Sequence, residues 1–237
     1  PPMLRRQSRL EEHDFQTLTF DLTTRSLDNV YLPRRGYSAT FSAGLTDDAL
    51  GGEFNMVETE LRTSFYLPAY EKADGTKPVW HFALNAGVTH PFSDTDEVPF
   101  SERYFLGGSR TLRGFDYREV GPFYQQPSQQ FPGQRRPGEA LGGETYVSGT
   151  LEFRYPLHSV VQPGTYQRLE SLRGSLFIDY GILDPDSYEL DLDELRASAG
   201  FGVGLAWPFP ISLNFGFPLL EEDGDGKRVF SFSLGGR

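Results

Sequence analysis

Nine separate stretches of this chain alternate apolar with polar residues at a period of two, and each is closed by Gly, Pro, Asp or Asn. That period belongs to a β-strand, whose successive side chains point to opposite faces. Residues 15–23 set Leu18, Phe20 and Leu22 against Thr17, Thr19, Asp21 and Thr23. Residues 37–45 carry Tyr37, Ala39, Phe41, Ala43 and Leu45 on one face, and 57–67 set Val57, Leu61, Phe65 and Leu67 against Glu58, Glu60, Arg62 and Ser64. The pattern continues in 79–89 (Trp80, Phe82, Leu84, Ala86, Val88) and 146–155 (Val147, Leu151, Phe153, Tyr155). It recurs in 175–181, where Leu176, Ile178 and Tyr180 oppose Ser175, Phe177 and Asp179, and in 196–207 with Phe201, Val203, Leu205 and Trp207. Residues 211–217 and 229–235 complete the set. No stretch approaches the roughly 18 apolar residues of a membrane-spanning helix. The chain is expected to be all-β and antiparallel.

Two architectures share this pattern. A soluble β-sandwich binding module would pack the apolar face into a core, whereas a transmembrane β-barrel would turn it to lipid and line a lumen with the polar one. The strands are about nine to eleven residues long, the length a tilted bilayer-spanning strand needs. The polar faces carry Gly and Ser rather than the Lys/Glu mixture of a solvated surface, and Tyr37, Tyr155 and Trp207 sit at strand ends where a barrel has its aromatic girdle. These features favour the barrel. Connections after the second, fourth, sixth and eighth strands are long and acidic, those on the other side shorter, as in outer-membrane barrels. Residues 158–173 are the exception, a long stretch on the short side.

A net charge of −11 without a clustered basic face excludes nucleic acid as a partner. The chain has no cysteine, which removes thiol catalysis and thiolate zinc sites. No nucleophile-elbow pattern accompanies Ser101, His81, His90 or His158, so no enzyme is expected, and neither a cofactor nor a metal. "EEDGDGKR" at 221–228 lacks the calcium-loop register and reads as a tight acidic turn; the acidic run 184–194 reads as a solvated outer loop.

One long segment, about 91–144, fits neither strand nor helix, and within it stands "YFLGGSRTLRGFDYREVGP". Gly107 and Gly108 precede a Leu112-Arg113-Gly114-Phe115 core, and Gly121-Pro122 follows. This segment resembles the signature loop of the BamA-type outer-membrane assembly and translocation family, the bacterial surface antigen barrel. Downstream, "TLEFRYP" with Glu152 and "LFIDYG" with Phe177 and Asp179 resemble the strands after that loop. "RASAGFGVGLAW" and "FSFSLGG" resemble its penultimate glycine-rich strand region and its closing strand. Upstream, "NVYLPRRGYSATF" resembles a periplasmic turn of the family.

The resemblance implies a sixteen-stranded barrel of which residues 15–237 are the C-terminal part, about nine strands, with 1–14 a flank or preceding loop. The first seven strands and the periplasmic POTRA domains would lie in a longer parent chain or in a partner. It implies a cell outer membrane, contact with the lipid bilayer, and insertion of unfolded β-barrel client proteins by strand addition at a lateral seam, without nucleotide. The seam strand would carry Phe230, Phe232 and Leu234. The loop would fold into the lumen, where a guanidinium is stable only when paired; the inward carboxylates Glu152 and Asp179 are the expected partners of Arg113. Gly114 would permit close approach or positive φ. A two-partner-type secretion pore and the barrel of a patatin-like fusion protein stand as alternatives within the family.

Overall fold

The computed structural model describes residues 15–123, 140–161, 168–205 and 211–234. Nine strands form one antiparallel sheet in the order β1-β2-β3-β4-β6-β7-β8-β9-β11. They are β1 (Thr17–Leu27), β2 (Gly36–Thr46), β3 (Met56–Pro68), β4 (Val79–Pro91), β6 (Thr145–Val161), β7 (Arg168–Asp184), β8 (Arg196–Leu205), β9 (Ile211–Leu220) and β11 (Phe230–Leu234). Two further short strands, β5 (Gly114–Phe115) and β10 (Lys227–Arg228), pair with each other outside that sheet. Neighbours in sequence are neighbours in space, except where β4 meets β6 across the long loop that holds β5 and where β9 meets β11 across the turn that holds β10. β1 and β11 are the two edges.

The sheet is inside out relative to a soluble protein. Leu18, Phe20, Leu22, Phe41, Phe65, Phe82, Leu176, Ile178, Phe201, Phe215 and Phe217 are all exposed along one face. The opposite face buries Ser148, Thr150, Glu152, Arg154, Asp179, Ser198 and Asn214. A sandwich would need a second sheet over the apolar side, and none covers it among the described residues. The polar side is covered instead by the loop between β4 and β6. The described residues therefore form a barrel wall rather than the soluble sandwich left open by periodicity.

Strand lengths depart from the expected nine to eleven residues. β6 and β7 are 17 residues each, and the supposed long connection 158–173 is largely strand. β6 loses β4 beyond Arg154 and β7 loses β8 beyond Leu172, so the hairpin continues past both neighbours. Alternation is broken at Pro156, where the register shifts between Pro156 and His158. Proline has no N–H to give the ladder and a bulge accommodates it. Pro218 in β9 is treated the same way, beside a register shift at Ala197/Ser198. The glycine-rich strand is also not penultimate in the sheet: β8 is separated from the closing strand by β9. Trp207, the flank 1–14, residues 124–139 of the long segment, residues 208–210 and the terminal Gly-Gly-Arg lie outside the described residues.

Candidate functional site

The long loop builds its own support before it reaches the sheet. Isolated bridges join Tyr104 to Gly143, Leu106 to Val120 and Phe123 to Ala140, so the loop returns on itself as an irregular ribbon. Leu106, Leu112, Phe115 and Val120 pack with Tyr146 of β6 and Leu183 of β7 into the apolar cluster of the polar side. Gly107 and Gly108 turn the chain at positive φ, 106° and 90°, and Gly108 N–H donates to Phe115 O at 3.0 Å. A side chain on Gly107 would run into the Asp116 carbonyl, which is the physical need for the glycine pair.

At the tip, Arg113 is driven onto the sheet. Its Nε donates to Asp179 Oδ2 at 2.7 Å and an Nη2 hydrogen to Asp179 Oδ1 at 2.8 Å, a bidentate fork. Nη1 donates to Glu152 Oε1 at 3.1 Å, and the Arg113 backbone N–H adds a fourth bond to Asp179 Oδ2 at 3.1 Å. The Thr150 hydroxyl donates to Asp179 Oδ1 at 2.8 Å. Asp179 is fully buried at 0 % exposure and Arg113 at 2 %. Beneath the guanidinium lies the ring of Phe177, 3.3 Å from the guanidinium carbon to the ring centroid, a cation–π contact in a desolvated place.

Charge balance extends the cluster. Glu152 Oε2 also accepts from Arg154 Nη2 at 2.9 Å and Nε at 3.0 Å. Arg154 Nη2 in turn lies 2.9 Å from His81 Nδ1, and His81 stacks on Tyr66 with ring centroids 4.6 Å apart. Two arginines thus face two carboxylates, so the buried charges compensate and the cost of burial falls where each lone pair and proton has a partner.

Gly114 has φ 95°, and its backbone lies against β9: a Cβ built on Gly216 would stand 2.6 Å from Gly114 N and 2.8 Å from Arg113 C. Phe115 is buried in the loop cluster. Phe230, Phe232 and Leu234 lie exposed on the apolar face, opposite Phe215, Leu213 and Ile211 of β9.

Sequence reasoning missed a second anchoring point. The turn at 221–229 is no free acidic turn: its Asp225 is buried and accepts from Arg196 Nε at 2.9 Å and from Glu222 N–H at 2.8 Å. Lys227 and Arg228 pair with Phe115 and Gly114. The available signal was Arg196, a lone charge on a strand whose polar face is otherwise Ser and Gly. In the outer loop after β7, oxygens of Asp184, Asp186 and Glu189 lie within 4.8 Å of one another. Asp184 is occupied by the backbone N–H groups of Asp186 and Asp191 at 3.0 and 3.1 Å, which accounts for its burial without an ion. Just before β6, burial raises the Glu144 carboxyl above the ordinary range, against the Val98 N–H and Arg103 that favour its charge.

An antiparallel sheet that exposes its apolar face and buries ionised groups beneath an inserted loop is a segment of a transmembrane β-barrel wall. Residues 5–237 match the Omp85 superfamily domain, and the chain belongs to that superfamily. It is 24% identical over 224 residues to the outer membrane protein assembly factor BamA of Neorickettsia risticii, covering 92% of this chain and 26% of the relative. It is 27% identical to the sorting and assembly machinery component 50 homolog of Mus musculus, covering 88% of this chain and 42% of the relative. The crystal structure of BamA from Haemophilus ducreyi lacking POTRA domains 1-3 superposes with a TM-score of 0.72 at 24% identity, covering 91% of this chain and 41% of that one. The chain thus spans less than half the length of each of these proteins.

Proposed function

We propose that this chain is the C-terminal part of the barrel of an outer-membrane protein assembly factor, which inserts β-barrel clients into the bilayer by strand addition and without nucleotide. Its place is a cell outer membrane, as the Omp85 domain and relatives bearing assembly-factor names support. The observation that carries the reading is the open sheet itself. Among the described residues β1 and β11 each pair on one side alone, as the two edges of a wall whose outer face is apolar. In hydrocarbon each unpaired group costs several kcal/mol. β1 is met by the preceding strands of a longer barrel, and β11, with Phe230, Phe232 and Leu234 toward lipid, forms the seam at which an incoming strand adds its hydrogen bonds. Arg113, Glu152 and Asp179 pin the signature loop inside the lumen. POTRA domains ahead of the barrel deliver unfolded clients.

The test is client folding by the purified full-length protein in proteoliposomes. An unfolded outer-membrane barrel should fold faster there than in protein-free vesicles, with ATP making no difference. Equal folding in both vesicles would remove the reading, and export of a soluble passenger instead would favour a secretion pore.

A further inference from the structure

The turn between the last two strands does more than close a hairpin. Asp116 N–H donates to Gly226 O at 2.8 Å and Gly226 N–H to Glu119 O at 2.9 Å. With the Lys227–Phe115 and Arg228–Gly114 pairs these make a small ribbon between the turn and the signature loop. Arg228 Nε lies 2.6 Å from Asp116 Oδ1 at its exposed side. At its buried side Asp225 takes Arg196 Nε at 2.9 Å, with side-chain exposures of 0 % and 3 %, and the Gly121 N–H at 3.4 Å. The turn therefore holds both limbs of the loop, at Asp116 and at Gly121, while it is itself held to the first residue of β8.

Only Val229 stands between the end of β10 at Arg228 and the start of β11 at Phe230. One residue reaches about 3.5 Å. The upper end of the edge strand therefore cannot leave β9 by more than a few ångströms while β10 stays on β5. The lower end, toward Leu234, carries no such restraint and is held by its β9 pairing alone among the described residues. Val229 O also accepts from Gly216 N–H at 2.8 Å, and Gly216 is the residue against which Gly114 is packed. Loop and edge strand thus meet on the same residue of β9.

We propose that the 221–229 turn is a latch, with Arg196 and Asp225 as its positioning residues, which ties release of the edge strand β11 to release of the signature loop. β11 opens freely from its Leu234 end and, at its Phe230 end, only when the loop lets go of β10. The role assigned to this opening rests on the strand-addition reading above; the latch itself is a property of the resting protein.

The chain lacks cysteine, so a cysteine introduced into it is its single thiol; the reporters are placed in the full-length protein in outer membranes, with any cysteine outside these 237 residues replaced by serine. Ser231→Cys and Ser233→Cys both sit half-buried on the polar side of β11, one near the latch and one away from it. Asp225→Asn should raise the maleimide labelling rate at position 231 about tenfold while changing that at 233 less than twofold, and protease sensitivity of the loop should rise with it. Arg228→Glu, which sets like charges beside Asp116 on an exposed surface, should give the same pattern more weakly if Asp225→Asn does not assemble. Equal rises at both positions, or a loosened loop with position 231 unchanged, would overturn the latch. A responsive position 231 with client folding unaltered would keep the latch and count against strand addition at this edge.

Discussion

Removing the Arg113 guanidinium tests how the loop is held. Three charged contacts vanish together, Nε and Nη2 to Asp179 and Nη1 to Glu152. The two carboxylates do not suffer equally. Glu152 keeps Arg154 at 2.9 Å, whereas Asp179, at 0 % exposure, loses both bonds of the guanidinium fork and retains the Thr150 hydroxyl and the residue-113 backbone N–H among its partners. Breaking a buried pair by deleting one partner costs about 3–5 kcal/mol, because the other charge is left uncompensated. In Arg113→Ala that cost falls on the loop-docked state, so loop opening should increase by about two to three and a half powers of ten. Phe115 is 1 % exposed, and chymotrypsin can cleave after it only when the loop leaves the sheet. Cleavage in the fast-reclosing regime follows the open population, so its rate in intact membranes reads the shift directly. Arg113→Ala with Asp179→Ala removes the orphaned charge as well as its partner, and the double variant should be cleaved more slowly than the sum of the single effects predicts. Wild-type cleavage in Arg113→Ala, or strictly additive effects in the double variant, would refute the ion cluster as the restraint and leave the apolar contacts of Leu112 and Phe115 to hold the loop.

Two further outcomes follow from the same contacts. Gly216→Val places carbon where the Gly114 nitrogen and the Arg113 carbonyl carbon already lie; both are backbone and cannot swing aside. It should cost about 1–3 kcal/mol of loop docking, seen as faster chymotrypsin cleavage with the strands still folded; unchanged cleavage would mean the crossing is loose. Leu176→Arg puts a charge on the outward face at a residue 63 % exposed, and should destabilise the barrel by about 2–4 kcal/mol in bilayer unfolding titrations if that face meets the middle of the membrane. A wild-type midpoint would place the face in water.

Period-two alternation made both faces of the sheet legible: parity puts Glu152 with Ser148 and Thr150 on β6 and sets Asp179 against the apolar Leu176, Ile178 and Tyr180 on β7, and a register that keeps the apolar faces together brings the two carboxylates to one side. Phe177 also carried a signal: it is an aromatic residue at a polar-face position, and it sits under the guanidinium. Parity says nothing about where a strand stops. β6 and β7 were cut short because Pro156 ends a pattern that the backbone continues through a bulge. The β5–β10 ribbon and the Gly114–Gly216 crossing were not legible, since each joins segments about a hundred residues apart whose meeting depends on the path of the loop. Short Asp/Gly-rich sequence gives the same local signal whether its carboxylate faces water or, as with Asp225, a buried arginine.

The two edges of the wall are held by different chemistry. Lipid gives the apolar face no more reason to pack against a neighbouring strand than against a chain of hydrocarbon, so order in the wall comes from backbone pairing and from the polar side. Two polar clusters line that side: His81 of β4, Glu152 and Arg154 of β6 and Asp179 of β7 around Arg113, and Arg196 of β8 with Asp225 of the turn before β11. Toward the other edge the loop side reaches β3 through Tyr104 to Glu58 and Tyr146 to Glu60, and β1 is exposed on both faces along nearly its whole length. β1 is therefore positioned by its eleven-pair ladder with β2 and by side-chain hydrogen bonds such as Ser42 to Asp21. β11 has about half the paired length, five residues against eleven, yet it is tied at one end to the buried Arg196–Asp225 pair. A wall built this way can yield at β11 in a controlled direction, from the untethered end toward the latch, whereas β1 is held along its whole length by its ladder with β2.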